Sequence, residues 1–423
     1  MTAPQRNWAG NVTYGAARFH RPTTLAELRG LLAASRRARA VGTGHSFNRI
    51  ADTTGDLISV AGLPRTVRLD RAAGTVTVSA GIRYGELATH LHAAGFGLPN
   101  LGSLPHISVA GACATGTHGS GERNKGLATA VTGLDLATAG GELLTLTRAA
   151  DGDRFAGAVV GLGALGVVTS LTLAVVPSFD VRQYVYDDLP WDSLISHFDE
   201  IAGAAYSVSV FVDWAGPRAK QVWLKQRLGG PDAGAPPRRW LGATLADGPR
   251  HPVPGVGPEP ATEQLGVPGP WHTRLPHFRP EFTPSAGAEV QSEYLLPRGR
   301  ALAALAAVAA VRDSVAPALQ VCEIRTIAAD DLWLSPSYGR DTVALHFTWV
   351  PAADAVARAV TAVEGALAPL DARPHWGKVF TLDPAVVRAQ YDRLPDFARL
   401  RGEVDPDGVC RNEFVDRYVP AAP

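Results

Sequence analysis

The sequence predicts a two-domain α+β protein. Three observations lead there. The chain has 423 residues, more than one hydrophobic core usually holds. Up to about Pro177, short strand-like runs and helical runs are interspersed as one mixed unit. Beyond it the texture changes: a proline- and glycine-rich stretch, then helices and strands with a polar face and an apolar face. Apolar residues make up 46% and charged residues 19%, which suits a globular enzyme and not a disordered chain.

The elements follow in order. Leu25 to Ala38 reads as a helix, followed by a strand and a glycine turn. Leu57–Val60, Thr66–Leu69 and Gly74–Val78 read as short strands. Tyr84 to Ala94 has helical spacing and stops at Gly95. Val131 to Leu146 is strand-like, interrupted at Gly140-Gly141, and Val167 to Val176 is a β-run. Residues 229–260 read as a long loop. A helix over Ala301–Val315, strands over Val321–Ile327 and Thr342–Val350, and a helix over Ala352–Leu367 complete the second part.

Composition excludes several classes. Lysine plus arginine equals aspartate plus glutamate, at 40 each, so no basic excess points to nucleic acid. Cys113, Cys322 and Cys410 are too few and scattered for a disulfide framework. The N-terminus lacks a signal pattern, and ALAALAAVAAV is too short to span a bilayer. The expectation is a cytoplasmic protein, off the membrane and monomeric.

Two glycine clusters carry the chemistry. Val41 to Asn48 reads VGTGHSFN, with a histidine inside a glycine turn. Leu101 to Gly121 reads LGSLPHISVAGACATGTHGSG. Closely spaced glycines expose backbone N–H groups that cradle phosphate oxygens, and hydroxyls from Ser103, Ser108, Thr115 and Thr117 add donors. The same pattern also fits plain tight loops. His106, Cys113 and His118 match no familiar metal spacing, so no metal is expected. Gly161 to Gly166, GLGALG, matches a dinucleotide motif but precedes a strand-like run where that motif needs a helix.

A third clue lies in the second half. Strand periodicity puts Glu323 and Arg325 on one face, and His346 and Thr348 on one face, with Leu345, Phe347 and Trp349 behind. Arg373 to Lys378, RPHWGK, adds ionisable groups. Alternation alone equally describes surface salt bridges on a half-solvated sheet.

VGTGHSFN followed by SLPHISVAGACATGTHGSG resembles the flavin-binding domain of the vanillyl-alcohol-oxidase superfamily, and more narrowly the alditol oxidases, relatives of the sugar-lactone oxidases. The likeness runs from Asn7-Trp8-Ala9-Gly10-Asn11 almost to the C-terminus. It implies an FAD-binding domain over residues 1–177, a substrate (cap) domain with a large antiparallel sheet covered by helices over 178–375, and a return to the first domain over 376–423. It implies FAD bonded through its 8α-methyl to His45. Ala40, Val41, Gly42, Thr43, Gly44, His45 and Ser46 would follow the pyrophosphate. Ser103, Ser108, Gly111, Thr115, Gly116, Thr117 and His118 would form a second FAD segment, Val168 would meet the adenine end, and His375 the flavin.

By the same resemblance, Ser103, Glu323, Arg325 and Thr348 would hold a polyol. His346, Lys378 and Arg325 would work at the reacting end, with His346 as base and the two cations keeping it unprotonated. The implied reaction is oxidation of a terminal alcohol, with hydride passing to the flavin and O2 becoming H2O2. Gly102 would leave room for oxygen. One departure stands in Asp405 to Asn412, where Val409 and Cys410 replace the family's lysine and phenylalanine. A sugar-lactone oxidase on the same fold, a sugar-binding protein that kept it, and a nicotinamide reductase, weakened by the run after GLGALG, are the alternatives.

Overall fold

The computed structural model describes residues 5–230, 234–283 and 289–420. Among the described residues its first part holds three sheets, the smallest a pairing of Phe96–Gly97 with Val176–Pro177. Arg18–His20, Asp56–Ser59 and Ala38–Val41 pair in parallel, with Asp56–Ser59 in the middle. Val67–Asp70, Thr75–Ser79, Val167–Ala174, Val131–Ala137 and Leu143–Thr147 form an antiparallel five-stranded sheet in that order.

Two boundaries differ from expectation. The first helix spans Leu25–Ala34, capped by Thr24, whose hydroxyl accepts from Glu27 N at 3.1 Å. It stops four residues short of Ala38 because Ser35 turns extended and Ala38–Val41 pair with Asp56–Ser59. Here a sheet ladder overrides helical propensity. The alanine-rich helix likewise breaks at Val311, into Ala301–Ala310 and Arg312–Val315. The run after GLGALG is a strand, Val167–Ala174.

The second part is built on a ten-stranded sheet between Asp180 and Pro374. Its centre runs Arg218–Arg227, Ser207–Val212, Leu319–Ile327, Thr342–Trp349, Val290–Pro297, all antiparallel. Ala301–Ala310 and Ala353–Leu367 cover one face. Val356, Val360, Val363 and Leu367 pack there on Ile324, Leu345, Phe347 and Trp349. Each such burial stabilises by about 1.5–3 kcal/mol. The opposite face carries Glu323, Arg325, His346 and Thr348. In the 229–260 stretch, Ala243–Leu245 extends the sheet edge by pairing with Tyr186 and Asp187, and Arg239–Trp240 pairs in turn with Ala243 and Thr244; residues 231–233 lie outside the described residues.

The first core takes in more than the N-terminal residues. Trp271, Leu275 and Leu332–Leu334 reach into it from the second part, as do Trp376, Tyr391, Phe397 and Tyr418 from the C-terminal end. The Asp405–Cys410 turn packs beside it, with Val409 in a smaller cluster with Leu28, Leu32 and Ala38. Asp405 accepts from Val409 N and Cys410 N, each at 2.8 Å, and Ala38 N donates to Val409 O at 2.8 Å.

Candidate active site

A cleft is lined by residues of both parts, among them Arg39 and the 40–46 loop from the first and Glu323, His346 and Lys378 from the rest of the chain. Its first wall is the Ala40–Ser46 loop, which continues the strand Ala38–Val41. Gly42 lies so close to Ser108 that a Cβ would stand 2.3 Å from its Oγ, and Gly44 has φ +71°. Those are positions only glycine fills easily. Among the described residues, the backbone N–H groups of Thr43 to Ser46 donate to no group.

The Asn7-Trp8 segment braces this loop from outside. Trp8 N donates to Gly44 O at 2.8 Å, Asn7 Nδ2 to Ser46 O at 2.9 Å and Asn11 Nδ2 to Phe47 O at 2.8 Å. Asn48 reaches the other way, donating to Trp376 O at 2.8 Å and Lys378 O at 2.7 Å. One motif therefore fixes both a glycine loop and the RPHWGK segment.

His45 stacks on Trp8, with centroids 5.1 Å apart. Its Nδ1 meets Thr43 Oγ1 at 3.0 Å, while Nε2 is buried without a partner. Burial, then His106 and Arg83, lower its pKa to about 4. It is a neutral, nucleophilic imidazole aimed at the cleft.

The second wall is the Ser103–His118 segment. Ser103, Ser108, Gly111, Thr115, Thr117 and His118 line the cleft, as does Val168 on its strand. Gly116 does not. It turns away with φ +70°, and a Cβ there would press on Pro336 at 2.8 Å; it makes the turn and leaves the lining to its neighbours. His106, Cys113 and His118 part company: they meet Pro280 O, Tyr84 Oη and Glu293 respectively.

The polar face of the large sheet closes the cleft. Glu323 and His346 are cross-strand partners, and His346 Nδ1 lies 3.4 Å from Glu323 Oε2. Arg325 Nη1 reaches Ser103 Oγ at 3.5 Å. Thr348, His375 and Lys378 line the same end. Burial lowers the His346 pKa to about 4, with Lys378 the next cause; Glu323 and Glu293 oppose, and Arg325 adds less. The expectation had named the cations alone, so desolvation is the missing and larger cause. His346 Nε2 is buried and unpartnered.

Several lining residues escaped sequence reading. Glu293, 1% exposed, takes contacts from Lys378 Nζ at 2.6 Å, His118 Nε2 at 3.2 Å and Arg325 Nη2. Burial would raise its pKa, but Lys378 and Arg325 hold it well below the usual carboxylate range. Its signal is weaker than that of Glu323 and Arg325, because the polar Ser292 stands between Gln291 and Glu293 and breaks the alternation. His277, from an irregular segment, lies 2.8 Å from Glu323 Oε1. GLGALG also lines the cleft, with Leu162 and Gly163 at positive φ. Arg39 pins it by donating to Leu162 O and Gly163 O, each at 2.7 Å.

The donor set fits a flavin dinucleotide. The cleft is lined by glycine-only approaches and by backbone N–H groups with no partner among the described residues, together with cations and the buried His45 and His346 Nε2 atoms, which have none there either. Residues 40–46, Ser103, Ser108, Gly111 and Thr115–His118 would hold that group.

Comparison with known proteins agrees with this geometry. The model of an FAD binding domain matches residues 16–147, and that of D-arabinono-1,4-lactone oxidase matches 288–418. Cholesterol oxidase from B. sterolicum superposes with a TM-score of 0.77 at 16% identity, over 99% of this chain and 96% of that one, a likeness of fold. L-gulono-1,4-lactone dehydrogenase of Mycobacterium tuberculosis is 32% identical over 98% of each chain. Alditol oxidase from a Streptomyces species is 53% identical over 98% of this chain and 99% of its own. At that identity over nearly its whole length, the chain belongs to the alditol oxidase family of FAD-binding oxidoreductases.

Proposed function

We propose that the protein oxidises the terminal hydroxyl of an alditol to the aldose, with xylitol and sorbitol as substrates and glycerol a poorer one, and with O2 reduced to H2O2. The observation that carries this reading is the cleft's buried polar end. An unpartnered His346 nitrogen stands there among Glu323, Arg325 and Thr348. FAD, when bound, supplies the hydride acceptor and the route for electrons to O2.

The chain's own residues do the rest. His346 Nε2 receives the hydroxyl proton, since burial keeps that nitrogen free at neutral pH. Glu323, Thr348, Ser103 and Arg325 pair with the polyol hydroxyls. A buried hydroxyl partner left unmatched costs about 1–3 kcal/mol, so such a site rejects deoxy analogues. Arg325 and Lys378 favour negative charge at this end of the cleft. His375 contacts the flavin and Val168 the adenine end. His45, neutral and with a bare nitrogen, is the attachment point for a covalent flavin.

The domain limits remain those of the sequence reading: 1–177 for FAD, 178–375 for substrate, 376–423 returning. A large sheet starting at Asp180 and ending at Pro374 supports them. Three buried free thiols support a reducing, cytoplasmic setting; a monomer is the assembly this reading carries. No single helix among the described residues is long and apolar enough to cross a membrane.

A sugar-lactone substrate is the second reading, favoured by the lactone-oxidase match over 288–418. Visible spectroscopy tests the proposal. Yellow protein that bleaches anaerobically with xylitol and recovers in air supports it. Yellow protein that only a sugar lactone bleaches moves it to the second reading. Colourless protein after FAD loading would favour a binding protein.

A further inference from the structure

Behind the substrate wall runs a buried chain of polar groups that the proposed reaction does not use. Lys225 stands on the strand Arg218–Arg227, with 1% exposure. The chain wraps its Nζ with three successive carbonyls, Arg274 at 2.9 Å, Leu275 at 2.6 Å and Pro276 at 2.9 Å. His277 Nδ1 is its fourth neighbour, at 3.1 Å. On its far side, His277 Nε2 lies 2.8 Å from Glu323 Oε1. The other oxygen of Glu323 faces His346 Nδ1 at 3.4 Å and Arg325 Nε at 3.6 Å.

Donor and acceptor identities follow from this order. An ionised carboxylate only accepts. The 2.8 Å contact therefore needs a proton on His277 Nε2, and a neutral ring then has a bare Nδ1. That nitrogen and three carbonyls all accept, so Lys225 is the donor to the group. The same rule at Glu323 Oε2 puts the proton of His346 on Nδ1. Its Nε2 is left bare, and this is the nitrogen that is buried without a partner.

The ring of His277 has little freedom. Phe211 and Trp223 meet it edge-on, with centroids 5.6 Å and 5.2 Å away. Its backbone N donates to Ser103 O at 3.1 Å, so it ties a substrate-facing loop of the first part to Glu323 of the second.

We propose that Lys225 and His277 are positioning residues that orient Glu323 from behind and, through it, fix the tautomer of His346 that accepts the substrate's proton. The proposal rests on the reading of His346 as base. Its first test needs no substrate. In 15N-histidine-labelled holoenzyme, NMR is expected to show His277 as the Nε2–H tautomer and His346 as Nδ1–H. Finding His346 as Nε2–H, or His277 as Nδ1–H, would overturn the relay. Wild-type enzyme that keeps the expected tautomers but is reduced by no alditol would sink the alditol reading and leave the relay standing.

Rapid anaerobic reduction by xylitol supplies the second test. The His277→Leu variant is expected to lose roughly 10–100-fold in limiting reduction rate, the range carried by groups that orient a working ligand, with a smaller change in KM. Four charged groups bear on His346: Lys378, Glu323, Glu293 and Arg325. Removing the His277 donor leaves Glu323 more basic toward His346, so the acid limb of the rate profile moves to higher pH. The His277→Gln variant keeps a donor for Glu323 and an acceptor for Lys225, and restores most of the rate. Equal losses in the Leu and Gln variants with an unmoved pH profile would reduce His277 to a packing residue and overturn the proposal.

Discussion

Lys378 Nζ stands 2.6 Å from Glu293 Oε2, with Glu293 buried and the Lys378 side chain 12% exposed. The carboxylate also serves Arg325 and His118, so one anion balances the cations beside the proposed base. Replacing Glu293 by Gln leaves Lys378 and Arg325 under-compensated in a dry site. Removing one partner of a buried pair costs about 3–5 kcal/mol. Urea unfolding of Glu293→Gln should show a loss of that order. A second change, Lys378→Met, should recover part of it. A midpoint equal to wild type would mean that water reaches these groups.

Covalent attachment has its own readout. The His45→Ala variant should still bind FAD through the glycine loops, but acid precipitation should release the yellow colour into the supernatant. Wild-type protein should keep the colour in the pellet. Colour retained by the variant's pellet would move the attachment to another residue.

Acid should destabilise the fold at mild pH. Burial holds His277 and His346 at about 4, against 6.5 for a free histidine. Between those values the unfolded chain binds protons that the folded chain refuses. Their contribution is fully present above pH 6.5 and is lost as pH falls toward 4. With both groups, the slope is on the order of 3 kcal/mol per pH unit at most. Glu293 and Glu323, also held low, extend the loss below the carboxylate range. Urea midpoints from pH 7 to 4.5 measure this; a flat profile would show that the two rings are not buried neutral.

Gly102 separates the two half-reactions. A Cβ there meets only ordinary contacts, His118 O at 3.6 Å and Leu127 Cδ1 and Thr117 Cγ2 at 3.8 Å, so Gly102→Ala should fold normally. A longer side chain would fill the cleft beside Ser103. Gly102→Leu should slow reoxidation by O2 more than reduction by xylitol in stopped-flow traces. Equal slowing would remove the idea that this position governs oxygen access.

Legibility followed physical range. Period-2 alternation in VCEIRTI and ALHFTWV is local, and it placed Glu323, Arg325, His346 and Thr348 on one face against a packed back. Glu293 lacks that clean alternation, because Ser292 stands between it and Gln291. His277 and Lys225 carry no such signal. One lies in irregular chain and the other faces inward from a strand more than forty residues away, so only the tertiary fold joins them. GLGALG shows a different failure. The strand after it rightly excluded a dinucleotide-type helix, yet positive φ at Leu162 and Gly163 still sets the loop against the cleft. Gly116 shows a third case, since its positive φ makes the turn that sets its neighbours against the cleft.

The glycine cradle can be tested by a pair of changes. In Gly42→Ala the new methyl would stand 2.3 Å from Ser108 Oγ, a separation real atoms do not hold. The two walls of the cleft must then part, and purified protein should carry a lower FAD-to-protein absorbance ratio. Removing the hydroxyl leaves Ser108 Cβ at 3.5 Å, an ordinary contact. Gly42→Ala with Ser108→Ala should therefore recover flavin content to the level of Ser108→Ala alone. A double variant as poor in flavin as Gly42→Ala would mean that the methyl occupies the cofactor's own space. The glycine would then be required by FAD, and the prediction that the clash with Ser108 is the cause would fall.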